Sequence, residues 1–413
     1  MSSKTVALEQ ISVSNSRKYF TVALAFLIVL LDGLDTTAIA FVAPAMAREW
    51  GMATSAFTPA FVSTSVGAVI GYMVAGPLSI RFGLRVVGVG STLLFGLGSL
   101  CTVAVTNLES LVILRLITAI GLGSVLPIMI ALATNVMPNN LRQMIAMLVA
   151  TGLAAGNVLG GLVGAPLMAK WGWESIFWVG GVLPLIFALP LLFVLPKFQS
   201  VEQRQQNSDS HVGKSVVRAL FGPGLALPTF LLWSFAFLIF LNAYVLMFWV
   251  PTLLMEFGFR PEQAPLGTAA LGLGGLVGNL FIIAFIAKVG VKVLLAGMLS
   301  LAVACILVVS QINVPQAWVL PLIGGLGAGL ITSCVGQSVL AVLIYPTTLR
   351  ATGIGWAAAL GRIGSIVGPA IGGAMLTVGS SAKSVVLITI LPTLLGLSIL
   401  FIMKSMERKQ RSV

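Results

Sequence analysis

Two carboxylates three residues apart, Asp32 and Asp35, interrupt the apolar stretch "VLLDGLDTTAIAF". Two guanidinium groups sit well inside other apolar runs: Arg115 in "LRLITAIGLGSVLP" and Arg362 in "RIGSIVGPAIGG". No other charges among the 23 Lys and Arg and 11 Asp and Glu lie so far from a polar segment, and the four sum to zero. A charge held in hydrocarbon costs at least about 2.5 to 3.5 kcal/mol, so each must face a partner or a water-filled space. Residues three apart share a helix face, and two carboxylates there repel each other and are both desolvated, which suits one of them to carry a proton. Gly33 allows close backbone approach beside them, and Thr36 and Thr37 supply hydroxyls. Arg362 offers a fork of donors that matches a carboxylate and stays charged, making it the first candidate for an anionic substrate group. The competing reading makes it the permanent partner of Asp32 or Asp35. Arg115 falls nearer the outer end of its run, where it could partly snorkel, and is divided between coupling and helix packing or gating.

A second tier of side chains could orient a ligand. Asn157, Asn242, Asn279 and Gln337 are amides inside apolar runs, and Phe237, Tyr244 and Phe248 recur near one helical turn. Amides fix polar ligands and rings stack on planar ones, although each taken singly fits packing as well. Trp171, Trp173, Trp178 and Trp249 read as interfacial anchors. Cys101, Cys305 and Cys334 have no metal-ligand spacing and read as small buried hydrophobes. No metal site is expected, and no nucleophile, base and orienting group occur together, so an enzyme is the least favoured class.

The elements that must position these groups are membrane spans. With 58% hydrophobic and 8% charged residues and a mean hydropathy of +1.08, the chain would leave a soluble domain coated in apolar surface. Runs of about 20 apolar residues, enough to cross the bilayer, recur twelve times. They fall near 20–42, 58–78, 86–105, 109–131, 142–166, 173–195, 227–250, 263–287, 291–310, 317–338, 350–375 and 382–403. With both ends cytoplasmic, inward segments carry 17 Lys and Arg against 4 in outward ones. That is the positive-inside bias, so the net charge of +12 reports topology and does not point to nucleic acid.

The expected division is a cytoplasmic tail (1–19), a six-helix bundle (20–195), a cytoplasmic linker (196–226) holding the sole histidine, His211, a second six-helix bundle (227–403) and a cytoplasmic tail (404–413). The halves repeat. "RFGLRVV" at Arg81 matches "KVGVKVL" at Lys288, 207 residues on, and "PNNLR" at Pro138 matches "PTTLR" at Pro346, 208 residues on. A duplicated six-helix unit of this kind is the parallel repeat of the major facilitator fold: an all-α membrane protein of twelve helices in two pseudo-repeat bundles. Gly76, Arg81, Gly83, Arg85, Arg142 and Arg350 are the loop residues placed to act in gating.

"LDGLD" at Leu31 to Asp35, "RLITAIGLGSVLPIMIAL" from Arg115, "FWVGGVLPL" from Phe177 and "RATGIGWAAALGRIGSIVGPAIGG" from Arg350 resemble the aromatic acid/proton symporters of the major facilitator superfamily. The resemblance runs over essentially the whole chain. It implies that Asp32 and Asp35 are required for proton-linked transport and that Arg115 and Arg362 act in binding the acid or in the transport cycle. The chain departs from the superfamily loop GxLxDRxGRR: "GPLSIRFGLR" has Ile80 for the acid and Leu84 for a basic residue. "AKVGVKV" also lacks its acid, and Asn135 stands where relatives often have one.

The expected function is import of a small organic anion, by preference an aromatic carboxylate, through proton symport with alternating access. The setting would be a bacterial cytoplasmic membrane, with a functional monomer, the proton gradient as energy source and no cofactor. Proton-coupled efflux of amphipathic compounds and a non-transporting membrane sensor are the alternatives.

Overall fold

The computed structural model describes residues 15–138, 141–194, 220–311 and 314–411. Most of the 196–226 linker, His211 included, and most of the 1–19 tail lie outside the described residues, as do the side chains of Arg142 and Arg350. The described residues contain no strand. In lipid, only a helix satisfies its own backbone polar groups within a single segment.

The first half comprises α1 (Asn15–Glu49), α2 (Thr58–Phe82), α3 (Leu84–Thr102), α4 (Leu108–Asn135), α5 (Arg142–Trp171) and α6 (Glu174–Val194). The second comprises α7 (Ala226–Glu256), α8 (Pro265–Val289), α9 (Val291–Gln311), α10 (Gln316–Ile344), α11 (Thr347–Thr377), α12 (Ala382–Ile388) and α13 (Ile390–Arg411). Twelve segments among the described residues are long and apolar enough to cross a membrane, α12 and α13 together making the last. This is a multi-pass membrane protein. An even number of spans puts the start of α1 and the end of α13 on one side, the terminal face.

Packing repeats with a step of six helices. In the first half α1 runs along α5, α2 along α4, and α3 packs on α4 and α6. In the second half α7 runs along α11, α8 along α10, and α9 packs on α10 and α12. The motif pair "RFGLRVV" and "KVGVKVL" sits at equivalent turns, where Gly83 (φ 84°, ψ 151°) and Gly290 (φ 84°, ψ 144°) take the left-handed conformation that L side chains resist. Where α1 crosses α5, a methyl at Gly156 would strike the carbonyl of Leu30. Where α7 crosses α11, one at Gly368 would strike that of Leu241. Glycine lets the backbones touch, the contact that holds helices together where no water drives association.

Three apolar clusters fill the molecule. One belongs to the second half, and one lies in the first half toward the terminal face, from Val22 through Leu84 to Ile145. The third lies toward the opposite face and joins the halves, packing Phe41, Phe57, Phe61 and Phe177 with Val245, Phe248, Trp249 and Val385. Phe61 stacks on Phe248 at 4.9 Å and meets Trp249 edge-on at 5.0 Å. Beyond this seal an ion pair, Arg48 to Glu262 at 2.8 Å, links the halves again.

Candidate functional site

The two aspartates of α1 part company. Three residues of α-helix turn the side-chain direction by about 60°, enough to send Asp35 into the first bundle and Asp32 into the space between bundles. Asp35 is wholly buried. Arg115 of α4 donates to its Oδ1 at 2.8 Å through Nη1 and to its backbone carbonyl at 3.1 Å through Nη2, and Ser99 of α3 donates to Oδ2. The Phe177 ring of α6 lies 5.8 Å from the guanidinium carbon. Charges taken out of water are tolerable when geometry and extra hydrogen bonds repay the desolvation, and both carboxylate oxygens are engaged here. Arg115 has no exposed surface, so the expected snorkelling does not occur: Asp35 draws its side chain inward.

Asp32 is 3% exposed and accepts a hydrogen bond from Thr36 at 3.0 Å. It lines a cavity at mid-span with Thr64, Ser65, Ala68 and Tyr72 of α2, Ala119 and Gly123 of α4, Tyr244 and Phe248 of α7, and Arg362 and Ser365 of α11. The cavity has a volume of about 30 Å³, room for a water or two but not for an aromatic ring. Arg362 projects in from the second half. Its Nη1 donates to the Tyr244 hydroxyl at 3.1 Å, and its guanidinium carbon lies 4.3 Å from the centre of the Tyr72 ring. Among the described residues no carboxylate stands within ion-pair distance of it. Arg362 is therefore not the standing partner of either aspartate: Asp35 is taken by Arg115, and Asp32 shares the cavity without touching Arg362. The neutral quartet resolves into one closed pair and one open pair.

The remaining candidates divide. Tyr244 belongs to the cavity. Asn242, two residues away, faces into its own bundle and donates from Nδ2 to the Thr389 carbonyl at 3.1 Å and to the Thr393 hydroxyl at 2.8 Å, where α12 gives way to α13. Gln337, also buried, donates to the Ser338 hydroxyl at 3.0 Å and is outside the cavity lining. Asn157 is half-buried at the seam of α5 with α8, beside Gly272. None of the three amides lines the cavity: Asn242 and Asn157 meet neighbouring helices, and Gln337 bonds to the next residue of its own helix. Gly76 and Arg81 are exposed, with Arg81 over the Phe82 ring at 5.2 Å, and Arg85 is half-buried near the Gly83 turn. Trp171 and Trp178 are exposed as anchors should be, whereas Trp173 is buried and donates to Glu49, and Trp249 is buried and donates to the Pro369 carbonyl.

The sequence reading passed over Tyr72, Ser65 and Ser99. The chain has only four tyrosines, and two of them meet Arg362, so a tyrosine in mid-span was a signal that could have been used. The serines carried none.

A mid-span cavity lined by both of two repeated six-helix bundles, with a carboxyl and an unpaired guanidinium inside it, defines a membrane carrier with a central site. The Major Facilitator Superfamily model matches residues 25–339 and 232–412. The 3-(3-hydroxy-phenyl)propionate transporter of Escherichia coli (strain K12) is 34% identical, with 97% of each chain covered. The 4-hydroxybenzoate transporter PcaK of Pseudomonas putida is 32% identical over 91% of this chain and 90% of that protein. Among solved structures, the nucleoside transporter NupG superposes with a TM-score of 0.75 at 16% identity, covering 94% of this chain and 99% of that one. The chain belongs to the Major Facilitator Superfamily. It is a membrane transporter and not an enzyme.

Proposed function

We propose that this transporter imports a small aromatic carboxylate together with a proton, by alternating access across a bacterial cytoplasmic membrane, with both termini on the cytoplasmic side. The observation that carries this reading is Arg362: a permanent cation at mid-span, held by a phenol and a ring, with no carboxylate of the described residues within ion-pair distance. A substrate carboxylate completes its coordination through two parallel N–H···O bonds. Tyr244 and Phe248 supply aromatic surface for a flat ring. The relatives named for 4-hydroxybenzoate and 3-(3-hydroxy-phenyl)propionate support the substrate class.

Asp32 is the coupling group in this reading. Ionised, it places a negative charge in the cavity that must receive a second one. Protonated, it removes that repulsion, so acid and proton enter together. Asp35 and Arg115 form a neutral unit that travels with the first bundle and takes no part in proton exchange. One proton with one monoanion moves no net charge. The gradient is the energy source, no cofactor takes part, and one chain suffices because the cavity is built from its two halves.

The halves meet toward the face opposite the termini, through the Phe61, Phe248 and Trp249 seal. Rocking about the central cavity would part that seal and bring the terminal-face ends together. The bias of 17 basic residues to 4 supports a cytoplasmic terminal face, so the seal closes the route from outside. Labelled 4-hydroxybenzoate in oriented proteoliposomes tests the direction. An inward proton gradient should drive accumulation well above the external concentration, whereas depletion under the same gradient would identify an antiporter.

A further inference from the structure

We infer that Ser65 of α2 is the residue that recognises a ring hydroxyl, and so selects hydroxylated aromatic acids over unsubstituted ones. The inference rests on the proposed substrate class and on Arg362 as the carboxylate anchor.

Hydroxyls in a membrane helix normally satisfy themselves locally, and those around the cavity do. Thr64 donates to the Ala60 carbonyl at 2.8 Å, Ser365 to the Arg362 carbonyl at 2.7 Å and Thr36 to Asp32. Ser65 is the exception. It is 3% exposed, it lines the cavity, and its Oγ has no hydrogen-bond partner. Among the described residues lining the cavity, no other buried side-chain polar atom is left in that condition. An unpaired buried hydroxyl is costly, and a ligand that pairs with it recovers the cost.

The position fits one ligand geometry. Ser65 and Tyr72 both face the cavity from α2, seven residues or about 10.5 Å apart along the helix, and Arg362 sits on the Tyr72 ring. A carboxylate and a para hydroxyl stand roughly 6 Å apart across a benzene ring, and a hydrogen bond of about 3 Å at each end brings the span to about 12 Å. An acid anchored at Arg362 and lying along α2 toward the opposite face therefore presents its para hydroxyl at Ser65. Between the two polar ends the first bundle contributes the small residues Ala68, Ala119 and Gly123, and Phe248 faces them from α7, so the cavity, which in this state has room for a water or two, widens to take the ring as the bundles part.

A serine hydroxyl both donates and accepts, so it pairs with a phenol in either sense. An acid without the hydroxyl leaves Ser65 as orphaned as before. The expected discrimination is that of one buried hydrogen bond, about tenfold in affinity.

The test is calorimetric titration of the purified full-length protein with 4-hydroxybenzoate and with benzoate. The wild type should bind 4-hydroxybenzoate about tenfold more tightly. Ser65→Ala should lose that preference by weakening 4-hydroxybenzoate alone, with benzoate affinity held within about twofold, which also reports that the variant is folded. Ser65→Thr, which keeps the hydroxyl, should retain the preference. A Ser65→Ala protein that still prefers 4-hydroxybenzoate tenfold overturns the assignment while leaving the aromatic-acid reading intact. A wild type that binds neither acid overturns that reading and the assignment with it.

Discussion

At the scale of single residues, the two aspartates have different fates because one lost its freedom to a nearby arginine. Breaking a buried pair by removing one member leaves an uncompensated charge and costs about 3 to 5 kcal/mol. Asp35→Asn is therefore expected to unfold well below the wild type in a thermal melt, and the double change Asp35→Leu with Arg115→Met to recover most of the loss. A wild-type melt for Asp35→Asn alone would show that the pair is not structural. Arg362→Lys keeps the charge and loses the fork; binding of 4-hydroxybenzoate should weaken at least about tenfold, and unchanged affinity would remove Arg362 as the anchor. The four membrane charges were legible in the sequence because charges are so scarce there. Which acid met which base was not: the rotation of about 60° between Asp32 and Asp35 belongs to any helix, but which side of α1 meets α4 and which meets the second half is decided by how α1 packs on α4 and α7, and no local pattern records that packing.

At the scale of elements, the break in the last span explains an amide that looked like a ligand contact. Pro392 lacks an N–H and crowds the carbonyl four residues before it, at Ile388, so the helix is interrupted between α12 and α13 at Thr389. Asn242 donates to the backbone there and to Thr393. Asn242→Ala should lower stability by about 1 to 3 kcal/mol in chemical or thermal unfolding while acid affinity stays as in the wild type; a large loss of affinity without a stability change would return Asn242 to the binding site. Spans, repeat and glycine turns were legible because they rest on hydropathy and on local backbone demands. The break was not, because Pro127 and Pro251 sit inside helices that continue past them.

At the scale of the whole molecule, the halves are held together on one side by apolar surface far more than by charge. The Arg48 side chain is 65% exposed in its pair with Glu262, and an exposed ion pair contributes about 0 to 1 kcal/mol. Phe61, Phe248 and Trp249 are all but fully buried, and replacing such a ring by alanine costs about 3 to 5 kcal/mol. Spin labels at the exposed positions Trp171 and Val378, at the ends of α5 and α11, should report a longer distance in Phe61→Ala and little change in Arg48→Ala. Equal distances in all three proteins would mean that the aromatic seal does not set which side is closed.

The central claim joins these scales: Asp32 couples the proton gradient to movement of an acid held by Arg362. Its most direct test is uptake of labelled 4-hydroxybenzoate into proteoliposomes by Asp32→Asn, measured with an inward proton gradient and, separately, as exchange against internal 4-hydroxybenzoate with no gradient. The variant is expected to exchange the acid but to accumulate none against its concentration. Accumulation at the wild-type level under the gradient would contradict the account.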